Sequence, residues 1–190
     1  MKLSLNRVKQ YQKASLLLAL ATGLVLLPFS ANAAIYMKID GLEGESTDVN
    51  HEGWIDVLSV SESLHAPTGS TSGATRQRGA VVFEDIVVAK ELDRTSPKLR
   101  EALAQGRVYP KIEIEITGSC DSEQVTYFKY EFKNASLTGV SLDGSDSDAL
   151  PIEMVSLDFE EIKWAYTELD HDCKKGGQVE ATWKVEEGTL

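Results

Sequence analysis

Apolar residues at every second position dominate the second half of the chain. Residues 111–116 have the sequence Lys-Ile-Glu-Ile-Glu-Ile, and Val179, Ala181 and Trp183 share one face of a later segment. Such alternation indicates antiparallel strands with one face in water. The pattern predicts strands near 35–40, 53–61, 79–88, 108–117, 124–133, 135–142, 152–166 and 178–186. This number of strands indicates a mainly β protein, an antiparallel β-barrel or β-sandwich.

One segment near the middle of the chain has a helical pattern instead. Ser96 is a good N-cap residue, Pro97 suits the first turn, and Gly106 suits a helix C-terminus. The apolar face would consist of Leu99, Ala102 and Leu103. The sequence therefore predicts one short α-helix over 96–106 that lies across the barrel.

The first 33 residues have the pattern of a secretory signal peptide. Four basic residues and no acid precede the end of an apolar run over 14–27, and Ala31-Asn32-Ala33 supplies small residues for cleavage. The apolar run is shorter than the ~20 residues that a spanning helix needs. This favours cleavage between Ala33 and Ala34 over an uncleaved membrane anchor. We predict a signal peptide at 1–33 and one domain at 34–190.

Charge and composition exclude several classes of function. The chain has 19 Lys+Arg against 30 Asp+Glu, a net charge of −11, and 42% hydrophobic residues. It can therefore bury a core, but it lacks the basic footprint that nucleic acid requires. With three histidines and two cysteines, we predict no metal site and no cofactor.

No catalytic motif stands out. The sequence contains no H-E-x-x-H, P-loop or G-x-G-x-x-G. The nearest approach to a nucleophile elbow, residues 139–143, lacks the second glycine. A glycosidase pair among the many carboxylates stays open, but we predict that the protein is not an enzyme and has no catalytic residues.

The two cysteines and three tryptophans have structural interpretations. Export would place Cys120 and Cys173 in an oxidising compartment, and both lie in turn-like sequence. They could form a disulfide between two hairpin tips, or remain two free thiols. Trp54, Trp164 and Trp183 lie in alternating segments, which favours core or subunit contacts over sugar platforms.

Two loops carry polar residues. Residues 61–78 form a small-residue loop that is long for a hairpin, and loops of this length are usually functional or disordered. Residues 143–148 form an acidic turn that lacks the glycine and glutamate of an EF-hand. We interpret it as a solvated turn.

Residues 41–59 resemble the haemolysin-coregulated protein (Hcp) family, the tube subunits of type VI secretion systems. The resemblance rests on Gly44-Glu45-Ser46, then His51, then Trp54-Ile55. Further similar features follow in order: the Gly/Ser-rich loop 62–78, Lys90 with Asp93, the helix start 96–99, the segment 151–162 with Tyr166, and Trp183 in the last strand. The resemblance spans about 35–186.

The resemblance implies a β-barrel with one lateral helix that assembles into a hexameric ring. In this family, rings stack into a tube, small effectors travel inside the ring, and the tube is expelled. The implied partners are further copies of this chain, effectors and other type VI components. The long loop, with Gly69, Gly73, Arg76 and Arg78, would make the contact between stacked rings; the alternative is a loop that touches nothing.

The N-terminal segment departs from the family pattern, since the family's tube subunits are generally made without a cleaved signal. Two hypotheses follow. The protein is a non-enzymatic ring-forming tube subunit that carries effectors and is exported, or it is a Sec-exported periplasmic or extracellular Hcp-like binding protein outside the type VI apparatus. Both place the protein in the periplasm or outside the cell, without a stable membrane anchor after cleavage.

Overall fold

The computed structural model describes residues 33–66, 81–120, 123–144, 150–170 and 174–185. Eleven strands and one helix lie in this part of the chain: β1 Ala34–Ile39, β2 Ile55–Val57, β3 Ser59–Ser61, β4 Leu64–His65, β5 Val82–Phe83, β6 Ile86–Glu91, α1 Ser96–Gln105, β7 Val108–Cys120, β8 Glu123–Asp143, β9 Ile152–Asp158, β10 Glu161–Leu169 and β11 Lys175–Lys184. In these ranges we find no helix with the length and apolar character needed to cross a membrane.

The strands form a closed antiparallel barrel because residues 55–61 join two sheet edges. The main sheet has the order β2-β1-β7-β8-β9-β6-β3. Its two end strands, β2 and β3, are separated only by Leu58, whose N–H donates to the carbonyl oxygen of Ala89 at 2.8 Å. β10 pairs with β8 and β11, and this hairpin leaves the barrel. The predicted antiparallel β-barrel is confirmed.

The 21-residue strand β8 serves two parts of the structure. One edge pairs with β7, and the other pairs first with β10 and then with β9. The prediction of two strands at 124–133 and 135–142 is wrong, because Asn134 bends the chain without ending the ladder. Its φ of 47° lies in the left-handed region that asparagine tolerates better than most residues.

The predicted single strand at 152–166 is also wrong, because β9 ends at Asp158 and β10 begins at Glu161. The side chain of Phe159 is buried in the core, and the N–H of Glu160 donates to the carbonyl oxygen of Lys133 at 3.2 Å. This break lets one continuous segment follow β8 along its whole second edge. Alternation alone does not reveal it, since both halves keep an apolar face.

The predicted single strand at 79–88 is likewise divided into two strands in the structure. The structure has β5 at Val82–Phe83 and β6 at Ile86–Glu91, while residues 79 and 80 lie outside the described ranges.

The inward side chains of the barrel strands form one core together with side chains of α1 and β10. Its fully buried members include Met37, Ile39, Ile55, Ile86, Leu99, Ile112, Ile114, Phe132, Leu157 and Ile162.

The helix α1 begins at Ser96 and ends before Gly106, as predicted, but Ser96 is not the cap. Thr95 occupies the N-cap position without a side-chain capping bond. Asp93 holds the turn instead: its carboxylate accepts a hydrogen bond from the Thr95 N–H at 2.8 Å. Gly106 has the left-handed conformation, φ 60°, that the C-terminus requires. The apolar face packs onto the core, as predicted, through Leu99, Ala102 and Leu103.

The Ser96 hydroxyl belongs to a cluster of charged and polar groups, which we name the Lys90 cluster: Lys90, Asp93, Ser96, Arg100 and Glu153. The Lys90 ammonium lies 2.8 Å from Asp93 Oδ1 and 3.2 Å from Glu153 Oε2. Ser96 Oγ donates to Glu153 Oε2 at 2.8 Å, and the Arg100 guanidinium forms an ion pair with Glu153 Oε1. Lys90 and Glu153 are both 0% exposed. Because an unpaired buried charge costs several kcal/mol, each charge of this cluster requires the others.

His51 holds the loop between β1 and β2 against the outside of the barrel. The imidazole is buried, with Nδ1 2.7 Å from Asp48 Oδ1 and Nε2 3.0 Å from Glu115 Oε2. It stacks on Tyr36 with ring centroids 4.1 Å apart and meets Trp54 edge-on. The loop is therefore fixed to β1 and β7 by hydrogen bonds and ring contacts of His51.

Gly44 permits the close approach of the two ends of this loop. A Cβ at Gly44 would lie 2.1 Å from the carbonyl oxygen of Trp54, a distance that no side chain tolerates. The residues 44, 51 and 54 that carry the sequence resemblance thus have packing roles.

Replacing Lys90 by Met should lower the free energy of unfolding by about 3 kcal/mol, the lower end of the range for a broken buried ion pair, because Glu153 loses its buried partner and keeps only Arg100 as an ion-pair partner. Urea denaturation measures the change. The matched control is Lys98→Met, which removes an exposed lysine from α1 whose partner is Glu101 and should leave the urea midpoint nearly unchanged. Equal midpoints for the two variants would contradict the role of the Lys90 cluster.

Acid should weaken the fold, because several carboxyl groups have lowered pKa values in the folded state. Burial on its own raises the pKa of Glu115 and Asp93, but hydrogen bonds from Thr126 to Glu115 and from Lys90 to Asp93 outweigh burial and hold both pKa values below the ordinary range. The unfolded chain therefore takes up protons first as the pH falls, and stability is lost from about pH 5 downwards.

Thermal unfolding followed from pH 7 to pH 3 measures this loss. The Glu115→Gln protein should start with a lower Tm and show a shallower fall, because one titrating carboxyl group is gone. A wild-type Tm that stays constant down to pH 3 would contradict the assignment.

Candidate functional site: outer surfaces of the barrel

The alternation that fills the core also determines the outside of the barrel, where two surfaces differ in chemistry. The first surface, which we name the uncharged face, comprises eight outward positions in the middle of β3, β6, β9 and the C-terminal part of β8: Ser59, Ser61, Val87, Ala89, Gly139, Ser141, Met154 and Ser156. The outward charges of the same strands border it, with Glu91 and Asp143 on one side and Asp158 on the other. They form two rows across the sheet. Ser59, Ala89, Met154 and Ser141 are successive partners in one row, and Ser61, Val87, Ser156 and Gly139 in the other.

Apart from Val87 and Met154, the side chains of the uncharged face are small or carry a hydroxyl group. Inward neighbours such as Val88 and Val155 are fully buried, which confirms the phase of the alternation. The hydrogen bond from Thr138 Oγ1 to Asp85 Oδ2, 2.6 Å long, lies at one end of the rows. Since 26% of the whole chain is charged, eight neighbouring outward positions without a charge set this area apart.

The second surface, which we name the paired-charge face, comprises outward positions of β7, the N-terminal part of β8, β10 and β11. It carries equal numbers of lysine and glutamate: Lys111, Lys129, Lys133, Lys163 and Lys184, with Glu113, Glu115, Glu131, Glu161 and Glu180. Lys129 Nζ lies 2.5 Å from Glu113 Oε1 and 3.2 Å from Glu115 Oε1. Lys163 Nζ lies 2.8 Å from Glu180 Oε2.

The contacts of Lys129 favour the charged forms of this lysine and of Glu113. Burial alone lowers the pKa of Lys129, but hydrogen bonds to Glu113 and Glu115 outweigh it and raise the pKa above its ordinary value. The same contacts lower the pKa of Glu113 against the effect of burial. The paired-charge face is therefore strongly polar but nearly neutral in sum.

The β10–β11 hairpin has an apolar side behind the paired-charge face. Its residues Tyr166, Val179, Ala181 and Trp183 form what we name the apolar stripe. Tyr166 and Val179 are direct partners, and Val179 is 64% exposed, Tyr166 44% and Trp183 40%. All ten residues of β11 are exposed, and its outer edge has no partner among the described strands.

Closer to the barrel, the same side of the sheet is covered by the β4–β5 segment. Phe83 stacks on Trp164 and Trp183, with ring centroids 6.4 and 6.2 Å apart. Glu62 accepts hydrogen bonds from Trp164 Nε1 at 2.8 Å and from the Tyr130 hydroxyl at 3.2 Å. Burial and the negative charge of Glu62 both raise the pKa of Tyr130. Glu62 and Phe83, on either side of the long loop in the sequence, are therefore both fixed to this sheet.

The structure leaves most sequence-predicted site residues untested. Gly69, Gly73, Arg76 and Arg78 lie outside the described residues, as do Cys173 and the side chain of Cys120. Residues 1–32 and most of the acidic turn also lie outside them. Ala34 begins β1, and its carbonyl oxygen accepts a hydrogen bond from Thr117 Oγ1 at 3.1 Å.

Sequence reasoning did not find the uncharged face or the apolar stripe as sites. A signal for the uncharged face was present, since small outward residues alternate at 59 and 61, at 87 and 89, and at 139 and 141. Only the strand pairing shows that these segments are adjacent. In the described ranges, no three or more His, Cys, Asp and Glu side chains are grouped so that they could hold a metal ion.

Known proteins share both the sequence and the fold of this chain. The family described as "Type VI secretion system effector, Hcp" matches residues 36–166. Protein hcp1 of Pseudomonas aeruginosa is 29% identical over 152 residues, which cover 80% of this chain and 94% of that protein.

Two solved structures agree with these matches. One, of a type six secretion system protein, has a TM-score of 0.77 at 26% identity and covers 83% of this chain and 99% of the other. Hcp1 from Salmonella typhimurium has a TM-score of 0.66 at 26% identity, with 82% and 96% of the two chains covered. With a family match over more than half of its length and this barrel, the chain belongs to the Hcp family of type VI secretion system proteins.

Proposed function

We propose that six copies of this protein form a ring, that the rings carry effector proteins in a central channel, and that the protein is itself exported. Family membership supports a structural role in type VI secretion. The observation that carries the proposal further is the uncharged face, which has the properties of a channel wall.

A channel wall must contact cargo without holding it permanently. Protein interfaces that bind tightly are enriched in aromatic residues, methionine and arginine, and of these the uncharged face has only Met154. Its serines offer hydrogen bonds that water can also supply, and apart from Met154 and Val87 its apolar groups are small. Contacts made there are therefore weak individually and insensitive to salt, which suits cargo that must leave again.

The other surfaces of the barrel suit this arrangement less well. The loop that His51 holds covers Tyr36 on the outside of β1 and reaches Glu115 of β7. The paired-charge face presents many fixed charges, which would attract or repel cargo according to its own charge. Of the three surfaces named for the described residues, the uncharged face is the one that has neither fixed charges nor a stripe of aromatic side chains.

The long loop supports stacking of rings in this proposal. The described residues Glu62 and Phe83, which lie on either side of the loop in the sequence, contact the aromatic side of the sheet. Gly69, Gly73, Arg76 and Arg78 would then contact the next ring, where the arginines meet the acidic surface of a chain with net charge −11.

A second candidate function uses the same face in another place. The basic and apolar N-terminal segment of the sequence supports Sec export and cleavage between Ala33 and Ala34. The protein would then be a periplasmic or extracellular Hcp-like binding protein outside the type VI apparatus. No catalytic activity is part of either proposal.

Intact and native mass of protein recovered from periplasm and medium tests the assembly and the two candidates. We expect an assembly of six copies. A chain that begins at Ala34 would support the Sec-exported binding protein, and an uncleaved chain found only in the medium would support the type VI tube subunit. A monomer at every concentration tested would contradict the ring.

Ser61→Arg tests the channel wall, because it places one arginine per protomer on the uncharged face. We expect the native mass of the ring to stay unchanged, while the amount of co-expressed small type VI effector that purifies with the ring falls at least several-fold. The control is Thr182→Arg, on the paired-charge face, which should leave effector recovery unchanged. Equal recovery with the two variants would place the cargo elsewhere.

A further inference from the structure

We propose that the apolar stripe and the free edge of β11 form the lateral seam of the ring, and that a second copy of this chain covers them. The proposal rests on the proposed ring and assigns a surface to it. It uses the β10–β11 hairpin, which has no part in closing the barrel.

The apolar stripe exposes several large apolar side chains next to one another. Val179, Tyr166 and Trp183 lie on one side of a two-stranded hairpin and are 64%, 44% and 40% exposed. Contiguous apolar patches of this kind mark interaction sites on soluble proteins, and tyrosine and tryptophan are enriched in interfaces. The stripe thus has the composition that the uncharged face lacks.

The outer edge of β11 is a second feature that a neighbouring subunit can cover. Long edge strands invite pairing with other chains, and proteins usually block them with charged side chains, proline, a bulge or a covering element. The charges of β11 are Lys175, Glu180 and Lys184, and Glu180 is already paired with Lys163. Residues 175–184 contain no proline, and the only register shift in the β10–β11 ladder lies near the turn, between Thr167 and Leu169. Ten exposed residues with a regular edge are what a neighbouring subunit can cover.

The distribution of charge on the hairpin favours a second copy of this chain over another partner. Two copies with a net charge of −11 each repel one another in general. The paired-charge face behind the stripe has equal numbers of lysine and glutamate, so the hairpin can approach an acidic copy without local repulsion. A partner selected for its own charge would instead need a patch of one sign.

Geometry adds a constraint on how the copies meet. A closed ring requires two different surfaces on each subunit, since each contact is heterologous. The stripe supplies one of them and leaves the uncharged face open to the channel. Pairing of β11 with the β11 of another copy would instead give a two-fold symmetric dimer and no ring.

The test is Val179→Lys, with Gln178→Lys as the matched control on the opposite side of the same exposed strand. Native mass spectrometry should show the Val179→Lys protein as monomers and the Gln178→Lys protein as rings of wild-type mass. Far-UV circular dichroism should be the same for all three proteins, because residue 179 is solvent-exposed in the monomer.

Hydrogen exchange provides a second measurement that does not depend on a variant. In the wild-type ring, amides of β11 should exchange at least tenfold more slowly than in the Val179→Lys monomer. Rings of wild-type mass from Val179→Lys, or equal exchange rates, would overturn the seam but leave the ring standing. A wild-type dimer would overturn the heterologous seam in favour of β11–β11 pairing, and a wild-type monomer would overturn the ring itself.

Discussion

Strand β8 pairs with three other strands along its 21 residues, and this sharing ties the barrel and the β10–β11 hairpin into one sheet. Because side chains alternate across the sheet, the face of β8 that points into the core continues onto β10 and β11. Phe132 is buried at one end of that face, and Val179 is exposed at the other. The apolar stripe is therefore the continuation of the core beyond the barrel.

The outside of the barrel has two surfaces of different composition, the uncharged face and the paired-charge face. The short segment 55–61 completes the circle, so β3, β6 and β9 lie next to one another on the side of the sheet that β10 and β11 do not join. The Lys90 cluster fixes α1 to β6 and β9 from the inside. Paired positive and negative side chains therefore lie in the interior and on the paired-charge face, whereas the eight residues of the uncharged face carry no charge.

Local patterns in the sequence predicted the features that depend on neighbouring residues. Alternation located β1 and β7 to within a few residues, and proline and glycine located α1 correctly, because the conformations of Pro97 and Gly106 are locally determined. The break between β9 and β10 and the continuity of β8 through Asn134 were missed, since they depend on how the strands pair. The family resemblance came from residues 44, 51 and 54, which pack the first loop.

Contacts between distant parts of the chain could not be predicted in the same way. Lys90 and Glu153 are 63 positions apart, and nothing in either local sequence shows that the two charges meet. The uncharged face combines four strands from three regions of the chain, and the seam depends on which edge of β11 stays free. Both features can be recognised only from the strand pairing, because it shows which small or apolar residues are neighbours on the surface.

In the proposed ring, the barrel turns its uncharged face to a channel and its apolar stripe to a neighbouring copy. Electron cryomicroscopy of the assembled protein, at a resolution that shows side chains, tests both halves at once. The account predicts six copies with Ser61 and Ser141 on the channel wall and Val179 buried between protomers. A channel lined by Lys129 and Glu131, with Val179 in solvent, would contradict it.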